Sequence, residues 1–381
     1  MLSDLAQRAL DRAGLGPIRD KVLARERLTD DEALRLFEAK DLAALGALAN
    51  HVREQRHGDL AFYNRNVHLN FTNVCVASCK FCSFARPDDK AASEGYTMSL
   101  DEAVEHVLSK RGLGITEVHI VNGLHPDLPW EFYLEVPRRI HAAWPELRIK
   151  GYTAVEIHFF AEKFGKSYEQ VLRELQAAGV ETLPGGGAEI FASRVRRKIC
   201  DDKATAEQWL EVHRVAHRLG MKTNATMLYG TIERLEERVD HMARLRALQD
   251  ETSGFQVFIP LAFHPEHNMI GKAFPKPTGF DGLRTYAVAR LYLDNFDHLK
   301  AYWVMLGERL AQTALSFGVD DLDGTVLEER IYHMAGSNVP QALSERTLHD
   351  LIRAAGRVPA ERDSLYRVLK IHEPAPLPVS A

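Results

Sequence analysis

Long apolar runs are missing from this sequence. No uninterrupted hydrophobic stretch in its 381 residues approaches the roughly 20 that a membrane-spanning helix needs. The opening MLSDLAQRALDRAGLG places charges where a signal peptide needs an apolar stretch. A cytoplasmic protein with no membrane partner is expected. Basic blocks are missing too: 48 Lys and Arg stand against 53 Asp and Glu, a net charge of −5. No positive stretch is long enough to hold a polyanion, so nucleic acid is not an expected partner. Phosphate-loop spacing is absent as well. Gly185-Gly186-Gly187 fits neither GxxxxGK[ST] nor GxGxxG, and reads as a tight turn or a close backbone approach to an organic ligand. There is no helix-borne HExxH; His264-Pro265-Glu266-His267 follows a predicted strand and reads as a substrate loop.

What is present is a folding chain. With 45% hydrophobic and 27% charged residues it is neither disordered nor fibrous. From about residue 67, short β-rich runs alternate with helical patterns. Eight candidate strands follow: VHLNFTN from Val67, EVHIVNG from Glu117, RIKGYT from Arg148, ETLPGG from Glu181, KTNATMLYG from Lys222, FQVFIPL from Phe255, HLKAYWV from His298 and DDLDGT from Asp320. Helix starts between them are marked by Ser99 with Glu102, Ser167 with Gln170 and Thr205 with Gln208, each pairing a cap hydroxyl with an acid or amide three residues on. Glycines at 112, 179, 220 and 318 fall where those helices should end. Eight such units match the roughly 250 residues of a closed barrel of parallel strands ringed by helices. The expected class is therefore α/β, a (β/α)8 TIM-like barrel, although an open doubly wound sheet would give the same alternation. Residues 1–60 read as an N-terminal helical extension, 61–370 as the barrel with C-terminal helices, and 371–381 as an irregular, Pro-rich tail.

Four cysteines are few, and three fall within eight residues: Cys75, Cys79 and Cys82 in NFTNVCVASCKFCSFAR, directly after the first predicted strand. In a reducing compartment such a cluster reads as metal binding before disulfides, because three neighbours cannot all pair with the remaining Cys200. Cys200 reads as a small buried apolar residue. Thiolates are the ligands that iron in iron–sulfur clusters takes. Three of them leave one iron open, which can be chelated by the amino and carboxylate groups of S-adenosylmethionine beside a one-electron donor. A zinc site would need a fourth ligand from elsewhere and gives a colourless protein rather than a brown one.

The CxxxCxxC loop with an aromatic before its last Cys resembles the hallmark of the radical S-adenosylmethionine (radical SAM) superfamily. That resemblance implies a 4Fe-4S cluster on the three cysteines, S-adenosylmethionine as a consumed co-substrate and an external one-electron donor. It implies Phe81 near the adenine and Asn122-Gly123, where many members carry two glycines, near the methionyl amino group. LPGGGAEIF from Leu183 and QDETSGFQVFIPLAF from Gln249 resemble the menaquinone- and deazaflavin-pathway group of that superfamily. YTAVEI from Tyr152, KAYWVMLG from Lys300 and DDLDGT from Asp320 resemble, within it, the aminofutalosine synthases rather than the dehypoxanthine futalosine cyclases.

That resemblance implies a small aromatic dicarboxylate as substrate, for which Arg is the natural partner. Arg86, just past the cysteine loop, is the first candidate; Arg194, Arg196 and Arg197 form a second basic group that reads first as a solvated helix face. A radical site must exclude water, and polar residues at strand ends should point into it. Asn73, His125, Glu156, Glu189, Tyr229, His264 and Asp323 hold such positions. His125 and His264 are candidates for moving a proton, Glu156 and Glu189 for ribose hydroxyls, and Asp323 for adenine or ribose, with Tyr229 beside them. Helix caps and loop hydrogen bonds are the competing reading at each. A homodimer is the base-rate expectation.

Overall fold

The computed structural model describes residues 2–87 and 94–373. Four helices open the chain: α1 (Asp4–Arg12), α2 (Gly16–Leu23), α3 (Asp30–Glu38) and α4 (Leu42–His57). α3 begins at a reciprocal Thr29/Glu32 cap, and its Leu36 and Phe37 are buried. α3 and α4 lie against the helices Leu235–Thr252 and Gly279–Tyr292.

All eight candidate strands are present. Seven of them form one parallel sheet in chain order: β2 (Asn66–Leu69), β3 (Glu117–Ile120), β4 (Arg148–Gly151), β5 (Val180–Leu183), β6 (Lys222–Tyr229), β7 (Phe255–Ala262) and β8 (His298–Leu299). The eighth, β9 (Asp321–Gly324), joins this curled sheet by parallel bridges rather than ladders. Lys300 pairs with Asp321 on one side, and Leu327, just past β9, pairs with Val67 on the other. The connecting helices start as expected, because Ser99/Glu102, Ser167/Gln170 and Thr205/Gln208 all form reciprocal caps. Gly179, Gly220 and Gly318 take φ of 104°, 81° and 96° after their helices. At the first site the left-handed residue is Gly114 (φ 69°) rather than Gly112, because a short 3-10 turn, Arg111–Leu113, extends the helix end.

A second sheet, not anticipated from the sequence, has the order β11–β10–β1–β9. It combines β1 (Leu60–Asn64) with β10 (Val358–Arg362) and β11 (Val368–Ile371), and β1 takes in just Leu60 of the expected helical extension. β1 runs into β2 through Arg65 alone, which sets this sheet at the end where the barrel strands begin. Strand β11 reaches into the expected tail, and residues 374–381 of that tail lie outside the described residues. Among the described residues, no helix is long and apolar enough to cross a membrane.

Candidate active site

At the opposite end, where the strands finish, the cysteine loop folds over a cavity of about 310 Å3. Neighbouring segments hold the loop through backbone bonds. Cys75 N–H donates to Arg86 O (3.0 Å), Val76 N–H to Leu124 O (3.0 Å) and Lys80 N–H to Ile199 O (2.9 Å). Ser78 N–H donates to Asp202 Oδ2 at 2.5 Å. Gly123 at the end of β3 admits this packing, since a Cβ there would lie 2.3 Å from Val74 O.

Cys75, Cys79 and Cys82 all line the cavity and none is in a disulfide. Burial pushes the thiols of Cys75 and Cys79 upward, with nearby Lys203 drawing both the other way. A metal must therefore displace their protons to bind. Cys82 Sγ accepts a hydrogen bond from Ala85 N–H (3.3 Å), the kind of N–H···S contact that stabilises cluster thiolates. Three free thiols on one pinned loop facing an open volume fit a 4Fe-4S cluster ligated at three irons.

Of the other residues singled out above, Phe81, Asn122, Glu156, Glu189, His264 and Asp323 line the same cavity. Asn122 and Glu156 act as one unit. Glu156 accepts from the backbone N–H and hydroxyl of Thr153 (2.8 Å each) and from Asn122 N–H (3.0 Å), while Asn122 Oδ1 accepts from Phe71 N–H (2.7 Å). Glu156 is thus also the acid of a Thr153/Glu156 helix cap. Burial raises its carboxyl to about 7 despite those hydrogen bonds with Thr153 and Asn122. Glu189 has a left-handed backbone (φ 49°) and forms an ion pair with Lys203. His264 is buried, with Nε2 2.8 Å from Met305 O, and burial lowers its pKa. Asp323 meets Lys300 Nζ at 2.8 Å; burial opposes its charge, but Lys300 and Arg362 hold it well below the usual carboxylate range.

Five candidates lie elsewhere, the first being Asn73, whose Oδ1 accepts from Tyr96 N–H at 2.8 Å. Gly123 packs under the cysteine loop. Tyr229 follows Thr226 and Leu228, which face the cavity, and strand alternation turns it to the helix side, with the Arg238 guanidinium 5.1 Å from its ring. His125 Nδ1 accepts from Asp127 and Leu128 N–H (3.0 and 3.3 Å), shaping the turn after β3. Arg86 Nη1 donates to the carbonyls of Ser83, Phe84 and Ala85 at 2.9–3.3 Å and so braces its own loop. In the second basic group, Arg194 pairs with Glu237 and Arg196 is buried on the carbonyls of Ala188 and Ala204.

Sequence reading missed Lys203. Its side chain is 6% exposed, and its ammonium sits 5.3 Å over the Phe81 ring. Burial opposes its charge, but Cys79, Glu189 and Cys200 together raise its pKa. No motif announces it; a lysine soon after a basic helix looks like surface. The Thr153/Glu156 cap had a signal, the same hydroxyl-to-acid spacing used for the other helix starts.

The Radical SAM superfamily profile matches residues 69–245, and that of the CofH/MqnC C-terminal region matches residues 252–375. The chain belongs to the radical SAM superfamily. This radical SAM enzyme is 49% identical to the aminodeoxyfutalosine synthase of Thermus thermophilus, over 93% of this chain and 96% of that protein. It is 47% identical to the Streptomyces coelicolor protein of the same name, over 93% and 94%. To the cyclic dehypoxanthine futalosine synthase of Streptomyces coelicolor it is 38% identical, over 97% and 92%. Its fold is that of methylornithine synthase, with a TM-score of 0.72 at 17% identity over 90% of this chain and 97% of that one.

Proposed function

We propose that this enzyme adds the 5′-deoxyadenosyl group of S-adenosylmethionine to the enolpyruvyl double bond of 3-[(1-carboxyvinyl)oxy]benzoate. Rearrangement and decarboxylation then give 6-amino-6-deoxyfutalosine for menaquinone biosynthesis. The observation that carries this reading is the step in identity, from 49% and 47% for the aminodeoxyfutalosine synthases to 38% for the cyclase. YTAVEI, KAYWVMLG and DDLDGT favour the same side, and their residues Glu156, Lys300 and Asp323 line the cavity.

Cys75, Cys79 and Cys82 would hold a 4Fe-4S cluster, which when bound supplies the electron that cleaves S-adenosylmethionine. The protein's own part is to bind and to exclude water. Phe81 offers a face for the adenine. Asn122, fixed by Glu156, presents polar groups beside the cysteine loop. Glu189 is suited to ribose hydroxyls, and Lys203, next to Cys79, is the cation placed to meet the methionyl carboxylate. His264 is the buried imidazole available for a proton.

The test is anaerobic reconstitution with iron and sulfide, followed by dithionite, S-adenosylmethionine and the enolpyruvyl benzoate, with products read by mass spectrometry. A product carrying both adenosyl and benzoate-derived carbon is expected. Free 5′-deoxyadenosine with unconsumed benzoate would reject the synthase reading in favour of the cyclase or a deazaflavin-pathway relative.

A further inference from the structure

Below the cysteine loop the cavity runs into the strand interior, and its floor is polar. Positions that barrels usually fill with branched apolar side chains are here His68 on β2, His119 on β3, Lys150 on β4, Asn224 on β6 and Lys300 just past β8, all lining the cavity. Several of their polar atoms lack partners. Nε2 of His68, Nε2 of His119 and Oδ1 of Asn224 are buried with no hydrogen bond. The two imidazoles lie together, with ring centroids 4.7 Å apart. Burial lowers the pKa of both, so each is a neutral ring carrying one N–H.

The lysines have donors to spare as well. Lys150 Nζ donates to Glu117 (2.9 Å) and Lys300 Nζ to Asp323 (2.8 Å), whereas an ammonium has three N–H groups. Formal charge at this floor is balanced: Lys150 faces Glu117, and Lys300 faces Asp323. The spare N–H groups of the two lysines and, in their Nε2–H tautomers, the two imidazoles offer donors there, beside the unpartnered acceptors Asn224 Oδ1 and Glu117 Oε2. Orphaned buried polar groups are rare because they cost free energy, and their gathering in one cavity marks a ligand contact. A carboxylate suits the four donor side chains, as a planar acceptor that takes several N–H bonds.

We infer that this floor seats the ring carboxylate of the aromatic substrate, held by His68 and His119 with Lys150 and Lys300 beside it. The inference rests on the function proposed above, and the direction of entry follows from it. The enolpyruvyl end must face the cysteine loop at the mouth, so the ring carboxylate is the end that goes deep. Tyr302 and Tyr332, which line the cavity with their ring centroids 5.6 Å apart, flank the path of the aromatic ring.

The probe is 3-hydroxybenzoate, titrated calorimetrically into the reconstituted holoenzyme against phenol, which lacks the carboxylate. Tight binding of the acid over phenol is expected in the parent, about tenfold or more of it lost in His68→Leu and His119→Leu. His119→Gln, which keeps an N–H donor, should recover part of that loss, which a folding defect would not allow. In turnover the same leucine variants should raise KM for the enolpyruvyl benzoate and leave KM for S-adenosylmethionine unchanged. Equal affinity for acid and phenol, or equal affinity in parent and leucine variants, overturns the inference. Floor-dependent binding without an adenosylated product would keep the carboxylate seat and remove the proposed reaction. An adenosylated product with a floor-independent KM would do the reverse.

Discussion

The two ends of the barrel put their buried polar groups to different use. Where the strands begin, the side chains of Arg362 and Asp321 are 0% exposed and meet at 2.8 Å, and Arg290 grips the equally buried Asp320. Asp320 also accepts from His298 and from Leu299 N–H, so its charge is well served. Around the cavity, Nε2 of His68 and of His119 and Oδ1 of Asn224 are buried without a hydrogen bond, and the three cysteines of the loop are in no disulfide. One end closes the molecule, and the other is built to be completed by something else. An unmade bond inside a protein is expensive; some occur at the other end too, at Asn64 and Ser364, but those around the cavity face a volume that a ligand can fill.

The hardest test of that contrast is Cys79→Ala. Iron content and the brown absorbance should fall and turnover should be abolished, while thermal unfolding of the apo-protein should barely change. A large loss of apo stability would mean the mouth is structural too. At the other end, Arg362→Met should leave Asp321 as an unpaired buried charge and cost about 3–5 kcal/mol in denaturant unfolding. A loss below about 1 kcal/mol would dissolve the distinction between the ends.

Glu156 sharpens the comparison because it stands between the two styles, well bonded yet desolvated. Its carboxyl is raised from an ordinary 4.5 to about 7, so between those pH values the folded chain keeps a proton that the unfolded chain has released. Stability should fall as pH rises through that window, by on the order of 3 kcal/mol in total. In Glu156→Gln that slope should be absent, and the gap between parent and variant should narrow from pH 4.5 to 7. Parallel pH profiles would show that Glu156 titrates normally. The smallest effect belongs to the surface: Arg173→Ala, which removes an exposed pair with Glu169, should cost about 0.3–0.5 kcal/mol.

The barrel was legible because its strands are β-rich runs set apart by cap and turn signals, which act locally. The cysteines were legible because cluster chemistry fixes their spacing on one loop. The second sheet was not. LAFYN is short and lacks polar alternation, VPAER carries a proline and two charges, and the partners of β1 lie some 260 to 300 residues downstream. Lys203 was hidden for the same reason, since its partners Glu189 and Phe81 are neighbours only in space. Asn122 and Asp323 were found at the cavity but with bonds the sequence could not show, whereas the Thr153 cap of Glu156 had its spacing signal. Tyr229 was displaced by strand parity, which a one-residue difference decides.

The placement of β1 also sets a timetable. Leu60–Asn64 pairs with Asp321–Gly324 on one side and with Val358–Glu361 on the other, and Val67 meets Leu327. During synthesis the early strands leave the ribosome long before these partners exist. At about 5–20 residues per second, β1 waits tens of seconds with both edges bare. The nascent barrel is therefore a sheet with open edges until β9 and β10 have been made. That delay is when the chain is most exposed to edge-to-edge association and most in need of a chaperone.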